Sequence, residues 1–161
     1  MPLSSLPPKS RTADPLLGAG ALLDIGIYPL TWASLILDHL RQASSPEKVE
    51  EPEVVSSMSF CNGADEMTSV ILNYRTLNIQ AICTASYCFR SGSEFCRIEG
   101  SEGSFSVGGV AASKPQFLVI RKKGEQEERK EFKTEGCGFW YEQDTVGKDL
   151  LVGRKESSVM P

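Results

Sequence analysis

Apolar positions crowd one stretch of this chain and alternate along another. From Gly20 to Leu40 they are dense, with Leu22, Leu23, Ile25, Ile27, Leu30, Leu35 and Ile36 among them. Such density without alternation predicts a largely buried helix over roughly 20–41. Pro29 lies inside it and is expected to bend or interrupt it, because proline lacks an N–H and its ring crowds the preceding turn. Arg41 stands near the carboxyl end, where a cation is favourable. Upstream, Asp14-Pro15 reads as a turn or helix start. The opening MPLSSLPPKSR, with three prolines and three serines, reads as an irregular tail over 1–11. SSPEKVEEPE, after the helix, reads as a charged, solvated connection.

Beyond residue 53 the pattern becomes short β-like runs: 54–60, 67–74, 78–89, 94–99, 103–107, 116–121 and 127–133. Thr68, Val70, Leu72 and Tyr74 share one parity, as do Leu77, Ile79, Ala81 and Cys83. Asn62-Gly63, Arg90-Ser91-Gly92, Gly100-Ser101-Glu102-Gly103 and Lys123-Gly124 supply turn chemistry between runs. The expectation is an open, mainly antiparallel sheet with one covered face. A helical pattern returns over 140–151, with Glu142 and Asp144 near its start and Gly153 placed to end it. GRKESSVMP then reads as a polar tail. The predicted class is α+β, in the order helix, antiparallel sheet, helix.

Composition narrows the functional classes. The chain has 161 residues, within the range of one domain. Its 17 basic and 21 acidic residues leave a net charge of -4, which disfavours nucleic acid as a main partner. No apolar run reaches transmembrane length, so no membrane span is expected. Met1–Arg11 has no apolar core of signal-peptide length. The five cysteines form no CxxC pair, which fits a reducing, cytoplasmic setting. Cys83 shares the parity of apolar neighbours and is expected to be a buried thiol. With one histidine, His39, metal sites and triads built on histidine find no support, and His39 reads as a helix-end or surface residue. The basic residues of 122–133 alternate with glutamates and read as a solvated hairpin. Gly18-Ala19-Gly20 begins like a dinucleotide fingerprint. It lacks the third glycine and a preceding strand, so it reads as a tight helix entry with close backbone contact.

The candidate chemistry lies with Asp24 and Tyr28, polar positions in the most apolar segment, four residues apart and so expected on one helical face. Buried, they need partners. Structurally, Tyr28 would cap a core and Asp24 would accept backbone amides. Functionally, a phenol whose pKa is brought down from about 10 exchanges a proton with a substrate hydroxyl. Asp24 would then orient substrate or phenol, and Arg11, distant in sequence, would add a hydrogen-bonding cation.

ADPLLGAGALLDIGIYPLTWASLIL resembles the first segment of the substrate-side domain of the glucose–fructose oxidoreductase and inositol dehydrogenase-like family, also written Gfo/Idh/MocA. The likeness continues in GADEMTSVILNY, FCRIEGSEGSFSV and GCGFWYEQDTVGKDLLVGRKESSVMP. It lies nearest to NADP-dependent dimeric dihydrodiol dehydrogenases and fungal D-xylose dehydrogenases. The resemblance implies that 12–161 is a truncated C-terminal oxidoreductase domain, partnered in its relatives by a Rossmann domain. Two copies would pair through the sheet. The family's catalytic tyrosine falls on Tyr28 and its aspartate on Asp24, with Arg11, Asp24 and Tyr28 as substrate-binding residues. A hydride would pass from the carbon bearing a sugar or trans-dihydrodiol hydroxyl to nicotinamide while Tyr28 takes the hydroxyl proton.

The family's glycine-rich nucleotide turn and Glu-Lys-Pro segment are absent from these residues; Lys9, in Pro8-Lys9-Ser10, is not that motif. The implied molecule is therefore a fragment of an NADP-dependent dehydrogenase, with weak or no NADP binding of its own and no activity in isolation. Its alternative is a non-enzymatic scaffold or dimerisation protein derived from that domain.

Overall fold

The computed structural model describes residues 2–44 and 51–157, with the side chains of 38–44 outside that description. The expectations for His39, Arg41, most of the connection after the helix and the last four residues fall outside it. The chain divides into two compact units, Met1–Ser91 and Gly92–Pro161.

In the first unit the opening segment contains a single 3-10 turn, Leu3–Ser5, whose Leu3 side chain is buried. Asp14 begins a second 3-10 turn, Pro15–Leu17, its carboxylate accepting the Leu16 amide at 3.0 Å. That is the proline-after-cap arrangement of a helix start.

The expected single helix is two: α1, Ala21–Ile25, and α2, Ile27–Ser44. The interruption falls at Gly26, not at Pro29. Pro29 is the third residue of α2, where its missing N–H matters least. What it removes is a donor for the Ile25 carbonyl, so the ladder breaks one turn earlier than the proline itself. Gly26 suits the break, because a Cβ there would collide with the Leu22 carbonyl. The segments on either side, Pro15–Ile25 and Ile27–Leu37, are bent by 44°. No single helix among the described residues is long and apolar enough to cross a membrane.

Strands β1 (Glu53–Cys61), β2 (Ala64–Tyr74) and β3 (Ile79–Ser86) form an antiparallel sheet in that order. The β1–β2 turn carries Asn62 and Gly63 at φ 53° and 85°, the left-handed pair that a tight hairpin requires. The predicted parity holds. Thr68, Val70, Tyr74, Cys83 and Ala85 are buried, and Val70 stands opposite Cys83. Ala33 and Leu37 of α2 pack with Val70, Tyr74 and Cys83 into the core. The Cys83 thiol donates to the Pro29 carbonyl at 3.5 Å, and burial pushes its pKa up. The other face of the sheet carries Val55, Met67 and Ile82, all exposed.

In the second unit β4 (Glu94–Gly100), β5 (Gly103–Ala111), β6 (Lys114–Lys122) and β7 (Glu128–Glu131) form a separate antiparallel sheet. The strands expected in one sheet are thus divided over two. Ser106 and Val119, paired across β5 and β6, are fully buried. Arg121 donates to Ser106 Oγ at 2.9 Å and pairs with Glu127 at 2.8 Å. Lys122–Glu125, Arg129–Glu131 and Lys130–Glu128 are exposed ion pairs, as the alternating charges predict. Helix α3, Phe139–Leu151, follows the hairpin. The architecture is α+β, with open antiparallel sheets and packed helices, and without a Rossmann fold among the described residues.

Candidate functional site

The site lies in the first unit, around the N-terminus of α1. A five-residue helix cannot satisfy its own first amides. Here the cap comes from β2: Asp65, nearly buried, accepts the Leu22 amide at 2.8 Å. Its Oδ2 also accepts the Thr68 hydroxyl at 2.6 Å. Backbone-amide acceptance, the structural role open to Asp24, is performed by Asp65. Gly20 makes this approach possible. Its φ is 129°, and a Cβ on it would collide with Asp65 Oδ1. The reading of Gly18-Ala19-Gly20 as a tight helix entry describes this turn.

With α1 fixed, Asp24 projects toward two donors from distant parts of the chain. Arg11 Nη1 pairs with Asp24 Oδ1 at 2.7 Å, and the Tyr87 hydroxyl donates to Oδ2 at 2.7 Å. The aspartate side chain is 20% exposed and the arginine 74%, so the carboxylate sits at the base and the guanidinium faces solvent. Burial alone would raise the Asp24 pKa. The hydrogen bonds from Tyr87 and Arg11, with the guanidinium charge, outweigh it and hold the carboxyl below its ordinary value. Burial, the bond to Asp24 and the nearby carboxylates push the Tyr87 phenol well above its ordinary range. Asp24 is therefore an ionised acceptor and Tyr87 a protonated donor at neutral pH.

Of the three predicted residues, the structure brings Arg11 and Asp24 together. Tyr28 stands on α2, beyond the Gly26 break, so the argument from a shared helical face does not apply. The residue is 41% exposed, and among the described residues its hydroxyl makes no hydrogen bond. That leaves the phenol available to a ligand.

Sequence reasoning missed Tyr87 and Asp65. Asp65, in Ala64-Asp65-Glu66, precedes the run 67–74 expected as strand and looks in sequence like ordinary turn polarity, whereas β2 begins at Ala64. Tyr87 lies within a run expected to be strand, and only its contacts distinguish it.

The Asp24 carboxylate and the Arg11 guanidinium set an acceptor beside a donor, the pairing that neighbouring hydroxyl groups can meet. The site does not suit a dinucleotide. The strand pairings among the described residues are all antiparallel, and no glycine-rich turn there follows a strand to meet a pyrophosphate. Among the described residues no group of three or more His, Cys, Asp or Glu is placed to hold a metal ion.

Comparison with known proteins adds to this geometry. Residues 2–106 match the model of the GFO/IDH/MocA C-terminal domain. The D-xylose 1-dehydrogenase (NADP(+)) of Hypocrea jecorina is 32% identical over 166 residues, covering 94% of this chain and 41% of that enzyme. The trans-1,2-dihydrobenzene-1,2-diol dehydrogenase of Xenopus laevis is 29% identical over 157 residues, covering 93% of this chain and 44% of its own length. In fold, the chain resembles the aldose-aldose oxidoreductase of Caulobacter crescentus, crystallised with glycerol. The TM-score is 0.71 at 21% identity, covering 96% of this chain and 44% of that one. The chain spans less than half the length of these relatives.

Proposed function

Since this chain belongs to the GFO/IDH/MocA C-terminal domain family, within the NAD(P)-dependent oxidoreductases, we propose that it is the substrate-side part of an NADP-dependent dehydrogenase. Its substrate would be a sugar resembling D-xylose or a trans-dihydrodiol. The observation that carries this reading is the partly buried, ionised Asp24, bonded to Arg11 and Tyr87. The relatives named D-xylose and dihydrobenzenediol dehydrogenases support the substrate class.

In this reading the residues divide the work. Asp24 accepts from a substrate hydroxyl and Arg11 donates to a neighbouring one, so vicinal hydroxyls meet a matched acceptor and donor. Tyr28, with its phenol ionised, receives the proton of the reacting hydroxyl at its phenolic oxygen. NADP would serve as hydride acceptor, but the described residues do not fit it. The isolated chain is then expected to be inactive and to act in the cytoplasm. Two copies would pair through the exposed outer face of β1–β3, where Val55 and Ile82 lie. That same exposed face favours, as a second reading, a scaffold without catalysis.

Titrating D-xylose or trans-1,2-dihydrobenzenediol into the chain, with NMR detection, should shift the Tyr28 ring and Asp24 carboxyl resonances. Tyr28→Phe should weaken that binding several-fold. The same sample with NADP should give no NADPH absorbance and should sediment at twice 17.6 kDa. A sugar and a diol that leave both resonances unmoved would sink the site assignment. Turnover lost in Tyr28→Phe would overturn the expectation of inactivity.

A further inference from the structure

We propose that Tyr87 is the positioning residue of this site: its hydroxyl anchors one oxygen of Asp24, so that the carboxylate keeps a fixed bearing toward a ligand hydroxyl. The inference rests on the reading of Asp24 as a substrate-orienting group, and its grounds are geometric. Tyr87 directly follows β3, and its backbone N–H donates to the Glu66 carbonyl at 3.0 Å, which ties it to β2. Its hydroxyl lies 2.7 Å from Asp24 Oδ2 and 3.4 Å from the Gly20 carbonyl. A phenol has one proton to give, and the shorter, charge-assisted contact takes it.

Arg11 engages the other oxygen at 2.7 Å. Two donors from separate segments, one on each oxygen, stop the carboxylate from turning about its Cβ–Cγ bond. Arg11 alone would not do this, because an exposed guanidinium on a long side chain holds a partner weakly. A carboxylate offers about four lone-pair directions, so roughly two stay free for ligand hydroxyls after both bonds form. The groups acting on the pair come from three segments: Arg11 from the N-terminal segment, Tyr87 from the end of β3, and Asp65 from β2, whose charge also favours the protonated phenol. The phenol is thus a permanent donor and takes no part in proton transfer.

The test uses the whole chain with carbon-13 carboxyl labelling, comparing wild type with Tyr87→Phe, which keeps the ring and removes the proton. Loss of one hydrogen bond to a charged acceptor should raise the proton affinity of Asp24 about tenfold. D-xylose, as probe, should bind about tenfold more weakly, while the Tyr28 ring still shifts at saturation. A purely packing role for Tyr87 would change melting temperature without moving the Asp24 titration, and that result overturns the proposal. In the wild-type chain, an exchange-protected, downfield Tyr87 hydroxyl proton is expected, and a freely exchanging one counts against the anchor even if the variant does not fold. D-xylose that perturbs neither Asp24 nor Tyr28 in wild type defeats the substrate reading together with this one. Xylose binding retained alongside an unchanged Asp24 titration in Tyr87→Phe defeats the positioning role alone.

Discussion

A methyl group on Gly20 would enter the space of the Asp65 carboxylate, and the backbone there has a φ of 129°, which residues with a Cβ rarely adopt. Gly20→Ala is therefore expected to destabilise the chain by about 1–3 kcal/mol in urea unfolding. The effect should be accompanied by loss of amide protection at Leu22. A second prediction concerns charge. The Asp24 carboxyl is held below its ordinary value, so its stabilising contribution is complete above that value and is lost as pH falls through the depressed one. Arg11→Ala removes both a hydrogen bond and a charge, leaving only the Tyr87 bond to oppose burial at the carboxyl. The difference in unfolding free energy between wild type and Arg11→Ala should be greatest at neutral pH and vanish in acid. Asp24 and Tyr28 were legible as polar positions in an apolar run. Their surroundings were not, because Tyr87 meets Asp24 across 63 residues and Asp65 meets Leu22 across 43. No periodicity carries information over such separations.

Helix α2 holds to the sheet through a narrow stripe, in which Ala33 and Leu37 meet Val70, Tyr74 and Cys83. Leu37→Ala should cost about 2–5 kcal/mol, the range for a buried leucine whose cavity only partly collapses. Urea unfolding monitored by circular dichroism measures it. The strand parity around Val70 and Cys83 was readable because a half-covered sheet enforces a period of two. The helix interruption was readable in kind but not in place. Proline announces itself at its own position, while its missing donor is felt at Ile25 and Gly26, a turn before. The strand ends at Ser86, with Tyr87 beyond, were hidden for a related reason. Apolar and aromatic residues continue past the last pair, in Tyr87, Cys88 and Phe89, and hydrogen bonding decides where the ladder stops.

Across the chain as a whole, the α+β class followed from the change of period near residue 53, whereas the division of the strands into two sheets did not. Every hairpin has similar alternation, and nothing local distinguishes a turn that continues a sheet from one that begins another. The capping of α1 by Asp65 also has a consequence in time. A helix of five residues is too short to nucleate alone, and its cap arrives from a strand that must first find its own partners. The hairpin of β1 and β2, closed by Asn62-Gly63, forms from near neighbours and should come early. Stopped-flow refolding should therefore give low φ-values for substitutions in α1, with Asp65→Asn speeding unfolding more than it slows folding. High values at α1 would overturn this order. The Asp24 carboxylate, carried on α1, is then among the last groups to be set in place and the first to be released.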